Sequence, residues 1–311
     1  MNSNDGIQPA KDSFDELNKL EGGLRIRGIQ KLTSPQKPLI SIITVVFNCE
    51  KYLEQTIESI LSQDWENVEY IIVDGASKDG TIDIIRKYED QIDYWVSEPD
   101  KGISDAFSKG IGLATGEIIG LVNGDDWLEA GALKEVATQF MDSTTDRNST
   151  TDKDTLPEIL CGALQYWRNE EKDFVFYSNL EPLKNEMTVN HPATFVKASV
   201  YEKFGAFDST YRVAMDYEFL LRCLVGGARF ATTERILSNM RLDGNSDILW
   251  IESFADVRRA KIHYGRSPVS AWLYFFFQII RKLSSRLLSF IGLSGLVKLF
   301  RRYFSVMTKE Q

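Results

Sequence analysis

The sequence predicts an α/β protein built on a mixed, mostly parallel sheet flanked by helices, and three observations predict it. Residues 39–46, 68–73 and 118–122 are short, continuous apolar and β-branched runs, the pattern of strands buried on both faces. The text between them carries apolar residues at three- and four-residue spacing, the period of a helix face. Polar residues collect where each run ends, at Asn48, at Asp74 and at Asn123-Gly124-Asp125-Asp126. In an open α/β sheet the carboxyl ends of the strands are where ligands bind.

Taken in order, residues 1–36 mix charge, Gly and Pro without a sustained period and form an N-terminal extension whose order depends on docking. The main domain is expected over 37–245. Its first strand, 39–46, ends at Asn48 and leads into a helix over 52–61 with Leu53, Ile57, Ile60 and Leu61 on one face. The second strand, 68–73, runs into the turn-rich 74–81 loop and a helix around 82–88. A third strand at 94–97, a helix over 103–114 and the fourth strand at 118–122 follow, with a further helix expected from near Trp127. Residues 142–157 contain almost nothing to bury and read as a mobile surface insertion. Amphipathic strands are expected at 159–167 and 174–178, another strand at 191–196, a helix from Lys197, a turn at 205–208 and a helix over 216–226.

A chain of 311 residues, 43% hydrophobic and 26% charged, is neither low-complexity nor disordered, and a globular enzyme is the natural class. The formal charge of -9 is unevenly spread. Residues 251–311 carry eleven Lys and Arg against Glu252, Asp256 and Glu310, a net +8, which leaves -17 on residues 1–250. An acidic body argues against nucleic acid as a partner. Cys49, Cys161 and Cys223 are odd in number and widely spaced, which indicates neither a disulfide framework nor a zinc site and fits a reducing compartment. The polar N-terminus lacks the basic start and apolar run of a signal peptide.

The strongest local signal is Asn123-Gly124-Asp125-Asp126 after the strand at 118–122. Carboxylates at a buried strand end need a counter-charge, and Mg²⁺ or Mn²⁺ shared with substrate phosphates is one way to supply it. The competing reading is an Asp-rich turn capping the next helix. Asp74-Gly75 is equally open between turn chemistry and ligand contact. Asp216 opens an apolar helix, so it serves either as an N-cap or as a general base that draws the proton from an attacking hydroxyl. His191, one of two histidines, is either a metal, phosphate or acceptor contact or a satisfied core histidine.

Several runs together resemble successive motifs of the family 2 glycosyltransferases. These are Ile40-Ser-Ile-Ile-Thr-Val-Val-Phe-Asn48, Ile71-Ile-Val-Asp-Gly-Ala-Ser-Lys-Asp-Gly-Thr81, Glu98-Pro-Asp-Lys-Gly-Ile-Ser-Asp-Ala-Phe-Ser-Lys-Gly110 and Ala114-Thr-Gly-Glu-Ile-Ile-Gly-Leu-Val-Asn-Gly-Asp-Asp-Trp127. The likeness spans roughly residues 38–225 and is strongest to the bacterial exopolysaccharide and colanic-acid branch. It implies a GT-A (nucleotide-diphospho-sugar transferase) fold, a UDP- or GDP-sugar donor, a divalent metal (Mn²⁺ or Mg²⁺) and inversion at the anomeric carbon. By that resemblance Thr44, Val45, Val46, Phe47 and Asn48 would line the nucleotide and Asp74 would hold its base. Asn123, Gly124 and Asp125 would meet the donor, and Asp125, with Asp126 beside it, would hold the metal; His191 stays a metal candidate by its residue type alone. Asn123 stands where the family's metal motif has its first Asp, and Ser108 where Asn or Arg is usual. Asp216 matches the Asp of the family's Glu-Asp motif, with Met215 in the Glu place, and would be the catalytic base. Lys101 would add positive charge near the phosphates, unless it is a solvated surface lysine.

From Ala271 the chain runs through short aromatic and apolar stretches interleaved with Arg281, Lys282, Lys298, Arg301 and Arg302. Neither apolar run reaches the ~20 residues a spanning helix needs. The 246–311 region is therefore expected to be a basic, amphipathic, helical segment associating with a membrane surface. The alternative is a helical pair packed on the main domain or on a second subunit. With a glycan or lipid-linked acceptor, the expected location is cytoplasmic, peripheral on the inner face of the membrane. A nucleotidyltransferase or a dinucleotide-dependent oxidoreductase would need a Gly-rich loop after the first strand, and Phe47-Asn-Cys-Glu-Lys-Tyr-Leu53 has no glycine. A binding or assembly protein on the same fold is the remaining alternative, motivated by Asn123 and Met215.

Overall fold

The computed structural model describes residues 19–34, 36–141, 156–242 and 249–290. The insertion expected at 142–157, all but its last two residues, and the basic run 298–304 lie outside the described residues. The first half alternates strand and helix: β1 (Leu20–Gly22), β2 (Ile40–Val46), α1 (Leu53–Leu61), β3 (Val68–Asp74), α2 (Thr81–Lys87), β4 (Tyr94–Ser97), α3 (Ile103–Leu113) and β5 (Ile118–Asn123). The second half adds β6 (Trp127–Leu128), α4 (Ala132–Phe140), β7 (Ile159–Arg168), β8 (Glu171–Phe176), β9 (Thr194–Lys197), α5 (Ala198–Phe204), α6 (Met215–Val225) and β10 (Phe230–Arg241). Two helices, α7 (Trp250–His263) and α8 (Pro268–Phe290), follow.

One sheet results, in the order β1-β4-β3-β2-β5-β9-β7-β10-β6, with β8 paired to β7. β4, β3, β2 and β5 are parallel, β9 runs against both β5 and β7, and β10 is parallel to β7. Every residue of β2 is buried. Its alternate side chains feed two apolar layers: Ile42 with Ile57, Ile72 and Leu133 on one face, Ile43 with Val73, Phe107 and Tyr217 on the other. Burying each such Ile contributes roughly 2 kcal/mol, so the central strands are fixed from both sides.

The structure moves several expected boundaries. The helix expected near Trp127 starts at Ala132, because Trp127 and Leu128 pair with β10 as β6. The strand expected at 191–196 opens as a single 3-10 turn at His191–Ala193 before β9, and the strand expected at 174–178 lies at Glu171–Phe176. The N-terminal segment joins the sheet through β1 on the edge of β4. It is anchored by Arg25, which donates to the Leu113 carbonyl at 2.8 Å and pairs with Glu69 at 2.5 Å.

Glu69 is nearly sealed, 4% exposed. Its carboxylate accepts from Ser41 Oγ at 2.5 Å, from the Thr115 N–H at 2.8 Å and from Thr115 Oγ1 at 2.5 Å, besides Arg25. Burial pushes the carboxyl up, but these donors and the guanidinium overcome it and hold the group below its ordinary 4.5. Its contribution is therefore full above that ordinary value and is lost as pH falls through the lower folded value. Glu69→Ala is expected to cost about 3 kcal/mol in urea unfolding at neutral pH, since it strands Arg25 and three further donors. The difference from wild type should shrink as the pH drops below 4.5.

Candidate functional site at the strand ends

β3 and β5 flank β2 in register, Val46 opposite Asp74 and Val45 opposite Asn123. The polar strand ends are thereby delivered to one rim of the sheet. On the β3 side, Asn48 turns out of β2 with φ 51. Its N–H donates to Ser77 Oγ at 2.7 Å and its Oδ1 accepts from the Lys78 N–H at 2.9 Å. Asp74 is fully buried and accepts from the Ser77 N–H at 3.0 Å, from the Ser77 hydroxyl, and from Ser97 Oγ at 2.6 Å. Its carboxylate thus holds the 75–81 loop in place and presents no open face to a base, contrary to the expectation.

Thr44 is also buried, accepting from the Tyr70 hydroxyl at 3.2 Å, and Val45 and Val46 belong to the core. Of residues 44–48, Phe47 and Asn48 reach the surface, with Phe47 65% exposed. Gly75 lies at the foot of this rim. A Cβ there would come within 2.7 Å of Asp100 Oδ2 and 3.3 Å of the Phe47 ring, so the floor stays bare backbone. Lys101 is exposed beside it, its N–H donating to Asp105 Oδ2 at 3.0 Å.

On the β5 side the Gly124 N–H donates to the Val45 carbonyl at 3.1 Å. A Cβ on Gly124 would meet Val46 Cγ1 at 2.5 Å, which is why the turn can close against β2 with glycine. Asp126 points inward, accepting from Asn123 Nδ2 at 2.9 Å and from the Arg241 N–H at 3.1 Å. Asp125, beside it, is half-buried and accepts no side-chain hydrogen bond among the described residues. Burial raises both carboxyls, and the Asp125 charge helps push Asp126 up to about 7. Asn123 Oδ1 is buried without a hydrogen-bond partner.

Arg241, the last residue of β10, is the group sequence reasoning missed. It is 5% exposed, donates to the Asp125 carbonyl and to Gln55 Oε1, and lies over the rings of Tyr52 at 4.2 Å and Trp127 at 4.5 Å. Its charge lowers both carboxyls against the effect of burial. No signal around Met240 and Leu242 marks it, because these partners come from two distant segments, 52–55 and 125–127.

Asp216 sits in the first turn of α6, half-buried, its Oδ1 accepting from the Tyr217 N–H at 2.7 Å. Burial lifts its carboxyl to about 6. Tyr166 connects the two acidic groups: after burial, the charges of Asp126 and Asp216 both push its phenol up, so the ring stands within electrostatic reach of each. Its hydroxyl donates to Asn190 Oδ1 at 3.1 Å. Behind Asp216, Asp256 of α7 accepts from the Val213 and Ala214 N–H groups at 3.1 and 3.4 Å and so fixes the start of α6. Met215 turns away into the core, where the Ser104 hydroxyl donates to its thioether.

His191 requires a correction. It is 8% exposed and wedged edge-on between Phe107 and Phe207 at 5.7 and 5.3 Å, and burial lowers its pKa to about 4. It is a neutral core histidine. Among the described residues no three His, Cys, Asp or Glu side chains converge, so the set Asp125, Asp126 and His191 is not assembled. Asp126 is spent on the turn, and Asp125 is left as the carboxylate open to a ligand.

Residues 41–204, more than half of the chain, match the model of Glycosyl transferase family 2. The protein belongs to this family. An uncharacterized glycosyltransferase of Mycobacterium tuberculosis is 27% identical over 186 residues, 60% of this chain and 68% of the relative. Chondroitin synthase of Escherichia coli is 26% identical over 70% of this chain, which spans 31% of that enzyme. In structure, this transferase resembles S. aureus TarS 1-349 in complex with UDP-GlcNAc, with a TM-score of 0.55 and 16% identity over 81% of this chain and 73% of that one. It also resembles a mannosyltransferase from Pyrobaculum calidifontis in complex with GDP-Man and Mn²⁺, with a TM-score of 0.54 and 16% identity over 89% and 86%. The expected GT-A fold is the one observed. The family match ends before Asp216 and Arg241, so their place in the site comes from geometry alone.

Arg241→Ala removes the cation that ties Asp125, Gln55, Tyr52 and Trp127 together. The expected result is a folded transferase whose nucleotide affinity, measured by calorimetry, falls about tenfold or more.

Proposed function

We propose that this family 2 transferase moves a sugar from a UDP- or GDP-sugar onto an acceptor hydroxyl of a glycan or lipid-linked glycan, with inversion. The observation that carries the reading is the pair of half-buried carboxyls with raised pKa, Asp125 after β5 and Asp216 at the start of α6, with Tyr166 within electrostatic reach of Asp216 and of Asp126, the neighbour of Asp125. The UDP-GlcNAc and GDP-Man complexes of the structural neighbours support the donor class.

The residues fit a divalent ion with limited protein ligation. Asp125 offers one open carboxylate and Asn123 Oδ1 one unpartnered buried oxygen, and Mn²⁺ or Mg²⁺ is commonly held by one or two carboxylates completed by substrate phosphates. Such an ion, when bound, offsets negative charge on the departing nucleoside diphosphate. Asp125 would hold it, while Arg241 and Asp126 keep the Asp125 turn in its place. Gly75 lets the diphosphate nucleoside approach bare backbone beside Phe47.

Asp216 acts as the general base. Its carboxyl, lifted to about 6 by burial, is ionised at neutral pH yet close enough to neutrality to accept the proton of the attacking hydroxyl. The proton moves from the acceptor oxygen to Asp216 as that oxygen displaces the nucleoside diphosphate. Since the protonated form cannot serve, transfer should rise with pH through about 6 and level off above it.

Titration calorimetry with UDP and GDP, each with and without Mn²⁺, tests the donor site. One nucleotide should bind in a metal-dependent way, and Asp125→Ala should abolish that dependence. Asp126→Asn should weaken the metal-dependent binding about tenfold, because the new amide draws the Asn123 oxygen away from the ion. Asp216→Asn should bind donor normally and lose transfer by about a hundredfold or more; full transfer by this variant would refute the base assignment.

A further inference from the structure

Helix α8 keeps an apolar seam turned away from the protein. Val269, Leu273, Phe276, Ile280, Leu283 and Leu287 are 69, 67, 53, 63, 52 and 61% exposed. They follow one another at alternating spacings of four and three residues, which places them on a single face. Trp272 and Phe277, 43 and 57% exposed, widen that face on either side. The opposite face is committed to the body: Ala271 and Gln278 are buried, Lys261 of α7 lies over the Tyr274 ring at 3.2 Å, and Arg281 pairs with Glu186 at 3.4 Å. The outward orientation of the seam is therefore fixed by packing on its other side.

Charge decides what covers the seam. The sequence has no acidic residue between Asp256 and Glu310, so α8 bears Arg281, Lys282 and Arg286 without a single carboxylate of its own. A second copy laid along the seam would bring an equally cationic helix, with no acidic side chain to meet the arginines. Among the described residues no helix is long and apolar enough to cross a membrane. An aromatic, apolar stripe bordered by arginines, with Trp272 at its margin under Arg258 at 3.8 Å, matches a bilayer interface with anionic headgroups.

We infer that α8 lies in the plane of an anionic lipid surface, its seam sunk among the acyl chains and its basic residues at the headgroups. The consequence for catalysis rests on the reading above. Glu186, which pairs with Arg281, belongs to the same loop whose Lys184 carbonyl accepts from the Tyr217 hydroxyl at 3.4 Å, next to Asp216. Docking by α8 would thus hold the loop that supports α6, the helix carrying Asp216, near the surface that a lipid-linked acceptor would occupy.

Co-sedimentation of the full chain with phosphatidylcholine vesicles, and with vesicles that also contain phosphatidylglycerol, tests the inference. The protein should bind the anionic vesicles, less tightly as salt rises, and bind neutral ones weakly. Phe276→Asp with Ile280→Asp should lower binding to anionic vesicles by about a hundredfold. Both positions are exposed, so circular dichroism and UDP or GDP binding in solution should remain as in wild type. Failure of nucleotide binding alone would count against the donor-site reading and leave docking standing. Wild-type binding to neutral vesicles as tight as to anionic ones, unchanged vesicle binding by the double variant, or a wild-type dimer that the double variant converts to monomer without altering vesicle binding, would overturn the inference.

Discussion

The site depends first on parallel register. β3, β2 and β5 are held with their carboxyl ends level, and each is buried on both faces, so a slip of one residue would turn core side chains into the wrong layer. With that register fixed, the loops leaving the three strands have to meet. Their meeting is made rigid by side chains bonded within the rim itself: Asp74 under Ser77, Thr56 against the Gly124 and Asp126 carbonyls at 2.9 and 2.6 Å, and Asn48 across to Lys78. Much of the polar character of the rim is consumed in building it.

What remains at the rim is a group of carboxylates with one buried cation, Arg241, beside them among the described residues. Asp125, Asp126 and Asp216 are all raised by burial, and two of them act on Tyr166 together. Asp126 is relieved by hydrogen bonds from Asn123 and Arg241. Asp125 has the Arg241 charge nearby, yet that guanidinium is directed to the Asp125 carbonyl and to Gln55. A buried carboxylate left in this condition favours an incoming positive group over further side-chain pairing, which is the physical content of placing a divalent ion there.

The sequence made the central strands legible because each is buried on both faces and reads as an unbroken apolar run. β10 was not legible: it mixes Thr, Glu and Arg, is partly exposed, and shifts register between Thr232 and Ser238. β6 and β1 are too short to show a period. Among the site residues, Asn48, Asn123 and Asp125 stand at the rim and Asp216 in the first turn of α6, as the strand ends and the helix start implied. Asp74 and Thr44 are at the right strand ends but face inward, a distinction that depends on which neighbour supplies the hydroxyls. His191 illustrates the limit further: its environment is made by Phe107 and Phe207, remote in sequence, and they favour the core alternative. Arg241 and Tyr166 were missed for the same reason.

The two C-terminal helices are built into the same problem of placing Asp216. A carboxylate raised to about 6 is useful as a base only if its distance to the acceptor is set, and a helix start is the least constrained part of a helix. Here α6 begins without a side-chain cap of its own. Asp256 supplies the missing acceptor from α7, and α7 in turn packs along α8. Glu218 of α6 is tied outward as well, to Tyr264 at the end of α7 at 2.5 Å and to Arg222 at 3.1 Å. The helix that carries Asp216 is therefore positioned by the pair that also presents the exposed seam. α8 packs on α7, and Asp256 of α7 holds the start of α6, so the three helices bear together on where Asp216 sits.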